Sequence, residues 1–264
     1  MALIWNRFDK KSIYASLLIA LILPITQINQ KLTISARVDN RFWDSPFTLW
    51  MGVDNFSFAT VAYYLIVPLI AALPVAMILR RDLDNGFLMQ LRIKRRLKPI
   101  LRNYLTWSFI LGGLVVAVPL VINLVSLALV YPSVFPDNLL NLNILVINQN
   151  TLFVSLYYHH PWIHSLLSIL FVFFWGGLFA MFTTAMSLLL KNRFLALSTG
   201  LLTQLALMLV QEFGISTGSI APVDFMKQSA SSGINLVVVL EVMVSAIVIV
   251  IILWRMGVAK IVSS

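Results

Sequence analysis

Residues 80–102 read RRDLDNGFLMQLRIKRRLKPILR and hold eight of the chain's nineteen Lys and Arg residues. Apolar runs near 58–79 and 104–130 flank this stretch. A cationic block between two runs long enough to cross a bilayer marks a loop on the cytoplasmic side. Working outward from it, the chain reads as an all-α polytopic membrane protein.

Composition agrees. The chain is 60% hydrophobic and 11% charged, where a soluble domain carries about 25% charged residues. Transmembrane β-strands would appear as short alternating segments, which these runs are not. The chain has no cysteine, so disulfides and thiol chemistry are excluded. A net charge of +9 invites a nucleic-acid reading, but cytoplasmic loop bias explains it, and no nucleic acid partner is expected.

Six spans are expected, near 12–28, 58–79, 104–130, 164–190, 194–210 and 234–254, in one transmembrane domain over 1–264. The first run has the basic start and apolar core of a signal peptide. No small-x-small site follows it, because Pro24, Gln27, Asn29 and Gln30 stand there, so it reads as an uncleaved span. With the N-terminus inside, fifteen cations fall on the inner side: Arg7, Lys10, Lys11, the eight of 80–102, Lys191, Arg193, Arg255 and Lys260. Only Lys31, Arg37, Arg41 and Lys227 fall outside. This bias predicts that both termini are cytoplasmic.

The outer segments 29–57 and 131–163 carry Phe42, Trp43, Phe47, Trp50, Phe56, Tyr131, Tyr157, Tyr158 and Trp162. Aromatics at that depth read as an interfacial belt, with a substrate-facing vestibule as the alternative. The Gly- and Ser-rich segment 211–233 reads as a loop or a short re-entrant element.

The cytoplasmic loop has a pattern of its own. Asp82 and Asp84 precede Gly86. Apolar residues then fall at Phe87, Leu88, Leu91, Ile93 and Leu97, among cations at Arg92, Lys94, Arg95, Arg96 and Lys98. This is a short amphipathic helix, acidic at its start and basic at its end, as the helix dipole favours. Pro99 is expected to interrupt it. Such a helix serves either as an anchor on anionic lipid or as a docking site for a cytoplasmic protein.

The stretch from Arg80 to Leu101 resembles the loop after the second span of type-2 ABC transporter permeases, on Asp82, Asp84, Gly86 and the run Arg92–Arg96. Residues 152–197 are similar to Firmicute-type permeases that work with a separate ATPase subunit. The matching residues are Tyr157, Tyr158, Pro161, Gly176, Gly177 and Lys191–Arg193. The outer segments are longer than many such permeases have. The resemblance implies an ATPase-docking loop formed by Asp82, Asp84, Gly86, Phe87, Leu91, Arg92, Arg95 and Arg96. It also implies a pair of permease subunits, the second a copy or a homologue, each bound to an ABC ATPase. The chain contains no G-x-x-x-x-G-K-[ST] phosphate loop, so ATP hydrolysis is expected in the partner, and neither an enzyme activity nor a cofactor is expected here. The expected setting is a bacterial plasma membrane. The expected function is export of a peptide, a lipid-linked molecule or an antimicrobial compound. The runner-up is a non-transporting scaffold or immunity-type protein.

Remaining polar residues are few. Glu241 is the one charged residue placed inside a span, and an intramembrane carboxylate is a functional candidate. It either lines a translocation path with Gln204 and Asn123 or makes a structural hydrogen bond to one of them. His160 and His164 have metal-ligand spacing, but Pro161 and Trp162 lie between them, so interfacial histidines are the simpler reading and no metal is expected. The pairs Gly112-Gly113 and Gly176-Gly177 read as close-packing points between helices. Pro68, Pro74 and Pro119 read as kinks whose freed carbonyls find neighbours.

Overall fold

The computed structural model describes residues 10–37, 44–54, 56–94, 96–137, 152–214, 218–228 and 233–263. Among these, every regular element is a helix. Five are long and apolar enough to cross a membrane. They are α1 (Lys10–Arg37), α6 (Leu97–Val130), α8 (Pro161–Leu189), α9 (Arg193–Glu212) and α11 (Leu236–Ser263).

The second expected span is divided. It forms α3 (Phe58–Ala72) and α4 (Ala76–Asp84), separated at Leu73–Val75. Pro74 has no N–H to give the Ile70 carbonyl, and the Leu73 N–H takes that carbonyl instead in a tight turn of 3.3 Å. Fifteen residues of α3 rise about 22 Å, short of a hydrocarbon core of about 30 Å. Most of α3 is buried, with Tyr63, Tyr64, Val67, Ile70 and Ala71 fully enclosed. It packs against α1, α6, α8 and α9.

Pro68 stays inside α3 because a neighbour replaces its missing donor. Gln204 of α9 donates its side-chain amide to the Tyr64 carbonyl at 3.2 Å and the Leu65 carbonyl at 2.8 Å. Tyr64 is the residue whose carbonyl an N–H at position 68 would bond. The Tyr63 hydroxyl donates to the Val116 carbonyl of α6, next to the Val115 carbonyl that Pro119 leaves without its helical donor.

The centre of the bundle is α6 against α8. The two glycine pairs meet there, as their spacing predicts. A Cβ on Gly113 would stand 2.6 Å from the Phe173 carbonyl, and one on Gly176 would stand 2.3 Å from Val116. Ser108 and Thr184 share a hydrogen bond of 2.6 Å across the same contact. Helix α8 also touches α3, α4, α9 and α11, so it is the hub. Most of α11 is uncovered by protein, as expected of a helix that borders lipid.

Two layers close the bundle. At one end, Ile13 of α1, Val75 and Leu79 beside α4, Leu88 of α5 (Phe87–Lys94), Leu101 and Tyr104 of α6, Leu188 of α8 and Ile261 of α11 form one apolar cluster. This basic end gathers the start of α1, the loop of 80–102 and the end of α11. At the opposite end, α2 (Pro46–Leu49), α7 (Val154–His159) and α10 (Pro222–Met226) form a cap. Here the belt expectation holds for part of the set only: Phe47, Trp50, Tyr131 and Tyr157 are buried in the main core. Of the described outer aromatics, Phe56, Phe135, Phe153 and Trp162 have the exposure a belt requires, while Phe42 and Trp43 lie outside the described residues.

Candidate functional site

The basic end carries the residues expected to dock a partner. Helix α8 ends there with its last carbonyls unpaired by helix geometry. Arg80 reaches them, donating to the Ser187 carbonyl at 3.3 Å and the Leu190 carbonyl at 3.1 Å. Lys260 of α11 approaches the Leu189 carbonyl at 3.4 Å. Cations at a helix C-terminus also oppose its dipole.

Asp84 fixes Arg80 in place. Its carboxylate pairs with Arg80 one turn earlier at 2.6 Å and with Arg193 at 2.8 Å. Arg193 opens α9, directly after the Asn192 side chain that caps it by accepting from the N–H groups of Phe194 and Leu195. Partial burial pushes the Asp84 carboxyl upward, but hydrogen bonds and charge from Arg193 and Arg80 outweigh this and hold it below the usual range. Asp82 is fully buried and accepts a hydrogen bond from the Tyr104 hydroxyl at 2.5 Å. The two acids of the loop therefore tie α4 to α6, α8 and α9.

Gly86 turns the chain out of α4 at φ +68°, a backbone conformation that L side chains rarely adopt. Helix α5 follows. Leu88 is buried, and Phe87 and Leu91 pack partly against the bundle. Met89, Gln90, Arg92 and Ile93 face outward, with Ile93 87% exposed. Arg95 lies outside the described residues, and Arg96 is exposed at the N-cap of α6. Pro99 does not end the amphipathic helix. It sits in the first turn of α6, where the N–H groups have no intrahelical acceptor and a proline costs little. The exposed groups here are thus Met89, Gln90, Arg92, Ile93 and Arg96, a mixture of apolar, polar and cationic side chains.

The three residues expected to line a path occupy separate settings. Gln204 serves Pro68. Asn123 belongs to a buried polar network of the cap: it donates to the Gln27 side chain at 2.8 Å and accepts from the Met51 N–H at 3.0 Å. Gln27 in turn donates to Asp54 at 3.1 Å and to the Leu49 carbonyl at 2.8 Å, while Lys31 pairs with Asp54 at 2.9 Å. Glu241 is on the exposed face of α11 and forms no hydrogen bond with either residue.

The histidines also separate. His159 and His160 are exposed, whereas His164 is buried 1% exposed inside the bundle, against the interfacial reading. Among the described residues, no group of three or more His, Cys, Asp or Glu side chains is placed to hold a metal.

The segment after α9 is a built part of the cap. Gln211 accepts from the Ile220 N–H at 2.9 Å and donates to Asp224 at 2.7 Å, and Ser219 bonds both side chains. The Gln228 N–H donates to the Gly52 carbonyl at 2.7 Å. Gln211 opens the segment that reads as a loop or re-entrant element, and its partners Ser219 and Asp224 lie within that same segment.

Comparison with known protein families, curated proteins and solved structures gives no match for this chain.

Proposed function

We propose that the chain is the membrane-spanning permease subunit of an ABC-type transporter, exporting its cargo with energy from a separate ATPase. Bacterial cell membrane is the setting, with the basic end in the cytoplasm by the positive-inside bias. Helix α3 and the first turn of α4, to about Leu79, together supply the sixth crossing. The observation that carries this reading is the arrangement around Gly86. A short helix hangs at the basic end with Met89 and Ile93 uncovered beside Arg92 and Arg96. Asp82 ties its base to α6 through Tyr104, and Asp84, by holding Arg80, ties it to the hub helix α8. Movement of a partner bound to α5 would therefore reach the bundle through Arg80 and Asp84 as a rigid-body motion. A lipid anchor has no need of that coupling. The cargo class stays as the sequence suggests: a peptide, a lipid-linked molecule or an antimicrobial compound.

The test is co-purification with the ATPase from the native host, comparing the natural chain with Arg92→Glu/Ile93→Ser. Both side chains are exposed, so folding should be retained, within about 0.5 kcal/mol for surface changes. Loss of the ATPase with unchanged thermal stability supports docking through this face. Retention of the ATPase removes α5 from the interface. Purification of the natural chain with no ATPase in mild detergent favours the scaffold or immunity-type reading.

A further inference from the structure

Helix α11 carries one charged residue within its apolar length. The run from Leu236 to Trp254 rises about 27 Å, close to the hydrocarbon thickness of a bilayer. Glu241 is the only Asp, Glu, Lys or Arg in that run, and Arg255 follows it at the inner boundary. Glu241 therefore lies roughly 7–8 Å inside the outer boundary. Its side chain is shorter than the Lys and Arg chains that reach water from such a depth.

Packing sets the direction of this side chain. Val239, Val250, Gly257 and Ile261 are buried and mark the face of α11 turned to the bundle. A Cβ on Gly257 would stand 2.7 Å from the Leu188 Cβ, so α11 is tightly seated on α8. At about 3.6 residues per turn, Glu241 falls at the middle of the opposite face. Val237, Val244, Ser245 and Val248 surround it, and all are exposed. These side chains are short enough for another helix to come close. Among the described residues Glu241 has no hydrogen-bond or ion-pair partner. Ser245 gives its hydroxyl proton to the Val242 carbonyl of its own helix at 2.8 Å. An acidic side chain that faces hydrocarbon alone is costly, and such residues pair with one another or face protein.

We infer that a second copy of the chain packs on this face of α11, with the two Glu241 side chains hydrogen-bonded to each other. Copies inserted in one orientation present α11 in parallel. A two-fold axis along the membrane normal then sets Glu241 against Glu241 at one depth. One carboxyl donates and the other accepts, so each copy supplies the partner that the other lacks. A different protein would need a polar group at that depth, and the second copy already has one. The helices cross between Val237 and Val248 and diverge toward Arg255, which leaves both guanidinium groups in the inner headgroup layer. This inference goes beyond the transport reading and needs neither the ATPase nor α5, so either can fail alone.

The natural chain has no cysteine, so single cysteine substitutions report alone. The purified full chain is reconstituted in phospholipid vesicles and oxidised with copper phenanthroline. Val237→Cys, Val244→Cys and Val248→Cys should each give a band at twice the mass of the chain. Leu166→Cys and Leu170→Cys, exposed on α8, should not. Energy transfer between two populations dye-labelled on a terminal tag, followed as lipid dilutes them, then measures association. Glu241→Leu should weaken association about three- to tenfold, as loss of one hydrogen bond between membrane helices implies. Glu241→Gln, whose amide also donates and accepts, should retain it. Both replacements stand at an exposed position, so the fold is kept, and circular dichroism checks this. Equal cross-linking of the α8 and α11 positions would overturn the inference. So would association unchanged by Glu241→Leu, the result for a carboxylate that bends out to the outer surface.

Discussion

At the cap, Asp54 sits under Gln27 and Lys31 in a layer where Phe47, Trp50 and Tyr157 are buried. At the basic end, Asp84 sits between Arg80 and Arg193 at a surface that leaves Met89 and Ile93 uncovered. Both ends join several helices through one carboxylate, but the surroundings differ. The cap's carboxylate is buried, held by the Gln27 amide, the Phe56 N–H and Lys31, whereas Asp84 is partly exposed. Ion pairs and capped helix ends hold the basic end, where solvent and salt reach the charges. The cap is enclosed, and the basic end is open to its surroundings.

The first way to break this contrast is Trp50→Ala. Trp50 is fully buried and lies within the main core. Removing a buried Trp costs about 3–5 kcal/mol. The expected outcome is a large fall in the detergent melting temperature, measured beside Met89→Ala, which should barely move it. Equal effects of the two changes would mean that the cap is no more packed than the exposed face of α5.

A smaller change probes the polar layer alone. Asn123→Leu keeps the volume near constant but leaves the Gln27 carbonyl without its donor and the Met51 N–H without its acceptor. Each orphaned buried group costs about 1–3 kcal/mol. The melting temperature should fall by a similar amount at every pH between neutral and mildly acidic, because an amide does not titrate in that range. A neutral outcome would show that water replaces the amide and that the layer is wet.

These effects were unequally legible in the chain. Five apolar runs announced their helices, since length and hydropathy are local properties. The extension of α1 to Arg37 was hidden: Gln30 and Lys31 read as an outer loop until Ser57 and Asp54, remote in sequence, supply their partners. Pro68 and Pro74 look alike, yet only Pro68 has Gln204 to serve its turn, so one helix continues and the other breaks. The aromatics of the outer segments could equally suit a belt or a core, and only the fold of 44–57 and 218–228 places Phe47 and Trp50 inside. Asp82 and Asp84 were visible as special residues, but their partners Tyr104 and Arg193 come from other helices, so their direction, inward rather than toward a partner, was not.

The smallest expected effect sharpens the contrast most, because it depends on conditions. Asp84→Asn keeps the shape and removes the charge that holds Arg80 and Arg193. The pair is partly exposed, so the cost is expected near 1 kcal/mol or below. Its sign with pH follows from the carboxyl being held below its ordinary value by the two arginines. A folded-state pKa below the unfolded one gives stability that is complete above the unfolded value of about 4 and is lost as pH falls through the folded value. The gap between natural chain and variant should thus be full at neutral pH and close below about pH 4, where the unfolded carboxyl also binds its proton. It should also narrow in high salt, which screens exposed pairs. The Asn123→Leu gap should do neither over the same range. If the Asp84→Asn gap persists unchanged in acid and in salt, the basic end is held by packing like the cap, and the electrostatic link between α5 and the hub helix α8 loses its basis.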